Sequence, residues 1–142
     1  MNEIKLRNFM PDKFIFKTEI PVRIGDINYG NHLGNAEFFY ILHEARLQFL
    51  ANINASEKDF FGCSLIMNKA TVEFKSQVVY GDTLEIELAI INQKKVRFDI
   101  FYKINSKNNN KIACLATTSM SCIDYESESI KKIPLEFIEK IG

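Results

Sequence analysis

Alternation of apolar and polar side chains along the chain predicts five strands, four of them in a continuous series. The first strand is expected within residues 13–24, and Pro21, which has no amide donor, places it at a sheet edge or makes it irregular there. Short turns separate the other four, and short breaks join antiparallel neighbours because a parallel crossover needs a dozen residues or more. These four strands are expected at residues 64–79, 83–92, 96–105 and 111–124.

One long helix is predicted over residues 35–53, a segment without Pro or Gly that is rich in good helix formers. Asn35 is the candidate N-cap. Apolar residues cover most of the circumference, so the helix is expected to be enclosed on several sides. A helical turn is expected at 55–61, and a terminal helix after Pro134. The pattern as a whole predicts an α+β fold in which one domain, residues 1–142, curls about five antiparallel strands around a central helix.

Composition narrows the classes of function. Eighteen basic residues balance eighteen acidic ones, which removes the electrostatic case for binding nucleic acid or an anionic membrane. The first 14 residues lack the apolar core of a signal peptide, and no apolar run approaches the ~18 residues of a membrane span. The three cysteines lack metal-ligand spacing and are expected to be reduced, buried thiols. We therefore expect a soluble cytoplasmic protein without a metal or cofactor.

Candidate chemistry is concentrated in DINYGNHLGN, residues 26–35, directly ahead of the long helix. Unpaired amides and the helix dipole at a helix start suit an anion or a developing oxyanion. Asp26, Asn28, His32 and Asn35 add a carboxylate, two carboxamides and an imidazole. The alternative is a tight loop in which these side chains only form turns.

Glu44 is a separate candidate, because a carboxylate on a largely apolar helix is costly to bury unless it is paired or functional. Arg46 is a possible partner. The alternative is that Glu44 lies on an exposed stripe with Glu37.

The loop and helix together resemble a known family. The stretch VRIGDINYGNHLGNAEFFYILHEAR is similar, without gaps, to the signature of hotdog-fold acyl-CoA thioesterases of the 4-hydroxybenzoyl-CoA thioesterase type. That signature reads D-x-D-x-x-G-H-V-N-N and is followed by an aromatic-rich helix with E-A-R. The matching residues are Asp26, His32, Asn35, Glu44, Ala45 and Arg46.

The chain departs from this signature at its central position. Asn28 stands where the family has its second aspartate, the catalytic carboxylate, and an amide cannot ionise to replace it. Asn31 and Gly34 replace the glycine and the first asparagine of the signature. The sequence is therefore similar to a variant subfamily with its own D-I-N-Y-G-x-H-L-G-N loop.

The resemblance implies a hotdog fold and hydrolysis of an acyl-CoA thioester, with CoA present only as part of the substrate. It also implies edge-to-edge pairing into a homodimer, possibly a dimer of dimers, with the site at the dimer interface. The Asn35 amide would bind the oxyanion and Asn28 would position water or the carbonyl. His32 or Asp26 would be the base, His32 being favoured because imidazoles titrate near neutral pH. Glu44 would be a reserve base.

Two further expectations concern binding. The CoA phosphates are expected to lie against basic side chains, for which Lys75, Lys95 and Arg97 are candidates. The alternatives to a thioesterase are a non-catalytic module that binds acyl thioesters or acyl-carrier protein, and a hotdog hydratase or dehydratase.

Overall fold

The computed structural model describes residues 5–142, in which a curled antiparallel sheet packs one face against a long helix. Residues 1–4 lie outside the described residues. They are part of the first 14 residues, in which the sequence predicts no signal peptide. The strands run in the order β1-β3-β4-β5-β2, all neighbours are antiparallel, and β6 adds a short pairing to β5. The α+β prediction is confirmed. The elements are β1 (Phe16–Pro21), α1 (Asn35–Asn52), β2 (Ser64–Phe74), β3 (Thr83–Ile91), β4 (Arg97–Ser106), β5 (Lys111–Asp124), β6 (Ser129–Lys131) and α2 (Leu135–Ile141).

The helical turn predicted at 55–61 is wrong. Side-chain oxygens compete for the backbone amides there: the Asp59 amide donates to Ser56 Oγ at 3.0 Å, and the Gly62 amide donates to Asp59 Oδ1 at 3.2 Å. These bonds hold a series of turns, and the turns bring Phe60 into the core, where its ring stacks on Phe98.

Strand β2 ends at Phe74, five residues before the predicted end at 79. The amides of Lys75 and Ser76 both point at the Ala113 carbonyl, at 2.8 and 3.3 Å, which turns the chain away from β5. The Val78 carbonyl then accepts a hydrogen bond from the Leu33 amide at 2.8 Å. The loop ahead of α1 is thus tied to the end of β2.

Helix α1 packs on the sheet with one side only. Its other side carries Phe39, Tyr40 and Leu47, whose exposed fractions are 45%, 70% and 39%. Within the single chain, the helix is therefore covered on one side only and not on several sides as predicted. The buried residues of α1 are Phe38, Ile41, Leu42, Ala45, Arg46, Phe49 and Leu50.

A buried polar network fixes α1 to the sheet. Arg46 is 6% exposed; its Nε donates to Glu57 Oε2 at 3.0 Å, and its Nη1 donates to the Tyr102 hydroxyl at 3.1 Å. The Tyr102 hydroxyl also bonds Thr118 Oγ1 at 2.8 Å, and His43 Nε2 lies 2.8 Å from Glu57 Oε1. Arg46 therefore links the helix to β4, to β5 and to the turns after α1, and it does not pair with Glu44.

Glu57 is the carboxylate that compensates the buried guanidinium. Burial works to raise the pKa of Glu57, but hydrogen bonds and charge from His43 and Arg46 outweigh burial, and the pKa lies below its ordinary value. Ionised Glu57 consequently stabilises the folded chain.

We predict that Glu57→Gln lowers the free energy of unfolding by about 2 kcal/mol at pH 7, because Arg46 loses a charged acceptor. The pKa of Glu57 is lower in the folded chain than the ordinary value of 4.5, so its stabilisation is present above pH 4.5 and is lost as the pH falls through the folded-state value. Urea unfolding of wild type and variant at several pH values measures the difference. A penalty that does not shrink below pH 4.5 would contradict this assignment.

The matched control is Glu85→Gln. Glu85 pairs with exposed Lys17 at 3.0 Å on the sheet surface, and we expect a change of about 0.5 kcal/mol or less.

Candidate active site

Asp26 closes the loop between the 3-10 turn Ile24–Asp26 and α1. Its Oδ2 accepts the Arg23 amide at 2.9 Å, and its Oδ1 lies 3.3 Å from the Arg23 guanidinium. Its backbone carbonyl accepts the Gly34 amide at 3.1 Å, which draws the two ends of the loop together. The carboxylate is 6% exposed, so its first task is structural.

Asn28 holds the tip of the loop. Its Oδ1 accepts the amides of Gly30 at 2.9 Å and His32 at 3.3 Å, and its own amide donates to the His32 carbonyl at 2.8 Å. Asn31, inside this turn, has a φ of 65°, a left-handed conformation that asparagine tolerates better than most residues. The carboxamide oxygen of Asn28 is therefore occupied in shaping the loop.

His32 is half-buried next to Gly30. A Cβ built on Gly30 would lie 3.8 Å from His32 Nδ1, which places the ring beside the turn. Within residues 5–142 no side chain or backbone group hydrogen-bonds the imidazole. Its two ring nitrogens are therefore available to water or a substrate.

The start of α1 differs from the prediction in one respect. Gly34, with φ −70° and ψ 153°, is the N-cap, and Asn35 is the first helical residue, so the prediction of Asn35 as N-cap is wrong. The Phe38 amide donates to the Gly34 carbonyl at 3.1 Å, which leaves the amides of residues 35–37 without helical acceptors. Asn35 is exposed and lines a hollow of about 200 Å³ at the helix start.

Glu37 is the residue that sequence reasoning missed. Its Oε1 occupies the position that a Cβ on residue 34 would take, and the Cβ of Asn28 lies 3.7 Å from that same point. The Glu37 carboxylate therefore lies at the helix start near Asn28. The available signal was its place three residues after the cap, where Glu often folds back over the helix start.

Glu44 lies on the exposed side of α1, roughly 14 Å along the axis from Asn35, and accepts a hydrogen bond from Gln48 Nε2 at 2.8 Å. It shares a hollow of about 430 Å³ with Asp26, whereas Asn35 lines the smaller hollow with Lys75. The candidate side chains thus distribute over two hollows and the loop that connects them. The larger hollow is lined by Glu19, Ile20, Pro21, Arg23, Asp26, Tyr40, Ile41, His43, Glu44, Leu47 and Gln48.

The three basic candidates do not come together. Lys75 follows β2 and bonds the Ala113 carbonyl, at the end of the sheet that faces the start of α1. Arg97 pairs with Ser121, eight residues further along β5, and Lys95 bonds the Ile133 amide through its carbonyl. Eight residues of strand separate the two ends by roughly 26 Å.

The three cysteines lie outside the loop at residues 26–35. Cys63, Cys114 and Cys122 are free thiols, and burial raises the pKa of Cys114 to about 12. Residues 5–142 contain no cluster of three or more His, Cys, Asp or Glu side chains that could hold a metal ion. No helix among these residues is long and apolar enough to cross a membrane.

Comparison with known families gives one match over most of the chain. A model of the thioesterase-like superfamily matches residues 22–141. Comparison with curated protein sequences gives no match.

Solved structures with the same fold include several thioesterases. A 1,4-dihydroxy-2-naphthoyl-CoA thioesterase from Synechocystis superimposes with a TM-score of 0.81 at 22% identity, over 89% of this chain and 94% of that one. A putative thioesterase from Pseudomonas aeruginosa gives 0.83 at 15% identity, over 92% and 100%. A Staphylococcus aureus protein in complex with CoA gives 0.81 at 18% identity, over 93% and 84%. These likenesses confirm the hotdog fold.

Proposed function

Since the chain belongs to the thioesterase-like superfamily, we propose that it hydrolyses an acyl-CoA thioester to the free acid and CoA. The observation that carries the proposal is the start of α1, where Asn35, whose amide has no helical acceptor, lines a hollow beside a tightly held polar loop. Amides fixed in this way can stabilise an oxyanion without having to reorganise during the reaction.

The reaction begins when the thioester carbonyl oxygen accepts a hydrogen bond from the Asn35 amide. A water molecule attacks the carbonyl carbon and gives its proton to His32. The tetrahedral oxyanion that forms at this carbon accepts a hydrogen bond from the Asn35 amide. The oxyanion collapses, the carbon–sulfur bond breaks, and the CoA thiolate takes the proton from the imidazolium. Asn28 contributes by holding His32 in place through the 28–32 turn.

His32 is favoured over the other bases by its surroundings. Asp26 is buried and bonded to Arg23, and Glu44 is engaged by Gln48 well along the helix. The imidazole keeps both nitrogens available. Glu37 is the competing base, since its carboxylate lies at the helix start beside Asn28.

Asn35→Pro and Asn35→Ala form a matched pair that tests the oxyanion donor. Proline removes the amide but is tolerated at the first helical position, and Gly34 already has the extended backbone that must precede proline. We expect thiol release from a panel of acyl-CoAs to fall about 10²–10³-fold in kcat for Asn35→Pro, with no comparable loss for Asn35→Ala. Equal rates in the two variants would exclude this amide, and CoA binding without thiol release by wild type would indicate a binding module.

Paired substitutions identify the base. With His32 as base, we expect His32→Ala to lower kcat/KM by about 10²–10⁴-fold, the usual contribution of a positioned general base. We expect Glu37→Gln to keep most of the activity. A large loss in Glu37→Gln with His32→Ala close to wild type would transfer the role to Glu37.

We also propose that the active protein is a homodimer paired through β2. β2 is an edge strand, and the side chains of residues 67–70 on it are all exposed. The uncovered apolar side of α1 lies next to this edge, because Phe39 and Met67 line one hollow of about 210 Å³. An unpaired edge beside an apolar face is the geometry that a second copy can complete. Pairing of two dimers into a tetramer stays a prediction.

Phe39→Glu and Met67→Glu test the dimer, since these side chains are 45% and 47% exposed in the single chain. We expect each variant to stay folded by circular dichroism, to elute as a monomer in size-exclusion chromatography with light scattering, and to lose thioesterase activity. Ile130→Glu, at an exposed position on β6, is the control that stays dimeric and active. Folded, active monomers would contradict an interface at this edge.

The substrate class is proposed from the neighbours, one of which is named as a naphthoyl-CoA thioesterase and one of which was solved with CoA. A cytoplasmic location and the absence of a cofactor stay predictions of the sequence.

A further inference from the structure

The N-terminal segment 5–14 lies as a strap across the face of the sheet opposite α1. Leu6 is 5% exposed and packs in a second apolar cluster with Phe101 and Leu115, against which Met10 also packs. The Leu6 amide donates to Glu73 Oε2 at 3.0 Å, which fixes the strap to the end of β2. Lys5 and Arg7, on either side of Leu6, are consequently held near Lys75.

Three hollows meet at Lys75. The first, about 200 Å³, contains Asn35 and Phe74. The second, about 350 Å³, contains Phe74, Lys5 and Arg7. The third, about 380 Å³, is lined by Arg7, Met10, Ile112 and Leu115. Because Lys75 lines all three, the hollows adjoin one another from the helix start, past the end of β2, to the strap.

The charge along these hollows is positive. Lys5, Arg7 and Lys75 supply three cations against the single carboxylate of Glu73. Oε2 of Glu73 accepts the Leu6 amide, and Oε1 forms an ion pair with Lys75 Nζ at 2.9 Å without a hydrogen-bond partner among the described residues, so the carboxylate positions Lys75 by charge. Burial works to raise the pKa of Glu73, but Lys75 and the Leu6 amide outweigh burial and hold the pKa below its ordinary value.

We infer that the strap forms the binding site for the nucleotide end of CoA, an inference that rests on the proposed function. A thioester held at the Asn35 amide has its neutral pantetheine arm directed past Phe74. The phosphates then meet Lys75, Arg7 and Lys5, with the Arg7 guanidinium suited to bidentate phosphate contacts. The adenine ring lies on the apolar floor of Met10, Ile112 and Leu115.

The test compares substrates that share a thioester and differ beyond the pantetheine arm. For wild type, Arg7→Ala and the control Lys13→Ala, an exposed cation elsewhere on the strap, kcat and KM are measured with acyl-CoA, acyl-phosphopantetheine and acyl-pantetheine. We expect Arg7→Ala to raise KM for acyl-CoA about tenfold or more, the loss typical of one charged hydrogen bond, and to leave kcat unchanged. KM for acyl-pantetheine should not change, and Lys13→Ala should match wild type.

Several results would overturn this assignment. One is an equal KM increase with acyl-pantetheine, which would indicate a general structural effect. Another is a full effect with acyl-phosphopantetheine, which would place the arm of a carrier protein at this site. A third is a KM increase in Lys95→Ala or Arg97→Ala but not in Arg7→Ala, which would move the nucleotide to the other end of the sheet.

Direct binding separates this inference from the proposed function. Calorimetric titration of CoA into wild type and Arg7→Ala should show about tenfold weaker binding in the variant even if wild type hydrolyses no thioester. Equal affinities would reject the strap as a nucleotide site whatever the catalytic result.

Discussion

The fold depends on how one helix is attached to one sheet. Apolar burial presses α1 onto the strands, but burial alone is not directional and would tolerate sliding. The Arg46 guanidinium removes that freedom, because it must keep both Glu57 and the Tyr102 hydroxyl within hydrogen-bond distance or remain buried without a counter-charge. The position of the helix along the sheet, and with it the position of its free amides, follows from that requirement.

A separate set of hydrogen bonds holds the candidate loop ahead of α1. The loop is bonded to the turn before it through Asp26, to itself through Asn28, and to the chain after β2 through Leu33 and Val78. Polar residues that look catalytic in the sequence are therefore also the residues that hold the loop. In the proposed mechanism the helix amides need this support, since an oxyanion donor is effective only when it is fixed before the charge develops.

The sequence predicted the fold well because its patterns are local. A segment without Pro or Gly defined α1 to within a residue, and alternation defined β3, β4 and β5 closely. The turns at 55–61 were missed because composition alone does not show that Ser56 and Asp59 bond the backbone in place of a helix. The early end of β2 depends on the Ala113 carbonyl, a residue far away in the chain.

The site was less predictable than the fold, because its arrangement depends on individual contacts that local sequence patterns do not show. The loop and the helix start could be found from the residue types. Which loop side chains hold the backbone and which remain available to a substrate depends on the hydrogen bonds that each of them makes. The proximity of Glu37 to Asn28 depends on how the helix cap folds. Arg7 lies beside Lys75 because the strap crosses the sheet. The pattern of apolar and polar residues does not predict that crossing.

The central claim is that the start of α1 is the place where the thioester reacts. The most direct measurement is a crystal structure of the protein with an acyl-CoA analogue whose sulfur is replaced by a methylene group, which keeps the carbonyl but cannot be hydrolysed. We expect the carbonyl oxygen of the analogue to lie about 3 Å from the Asn35 amide nitrogen, at hydrogen-bond distance. A carbonyl bound instead in the larger hollow between Asp26 and Glu44, with the Asn35 amide facing only solvent, would contradict it.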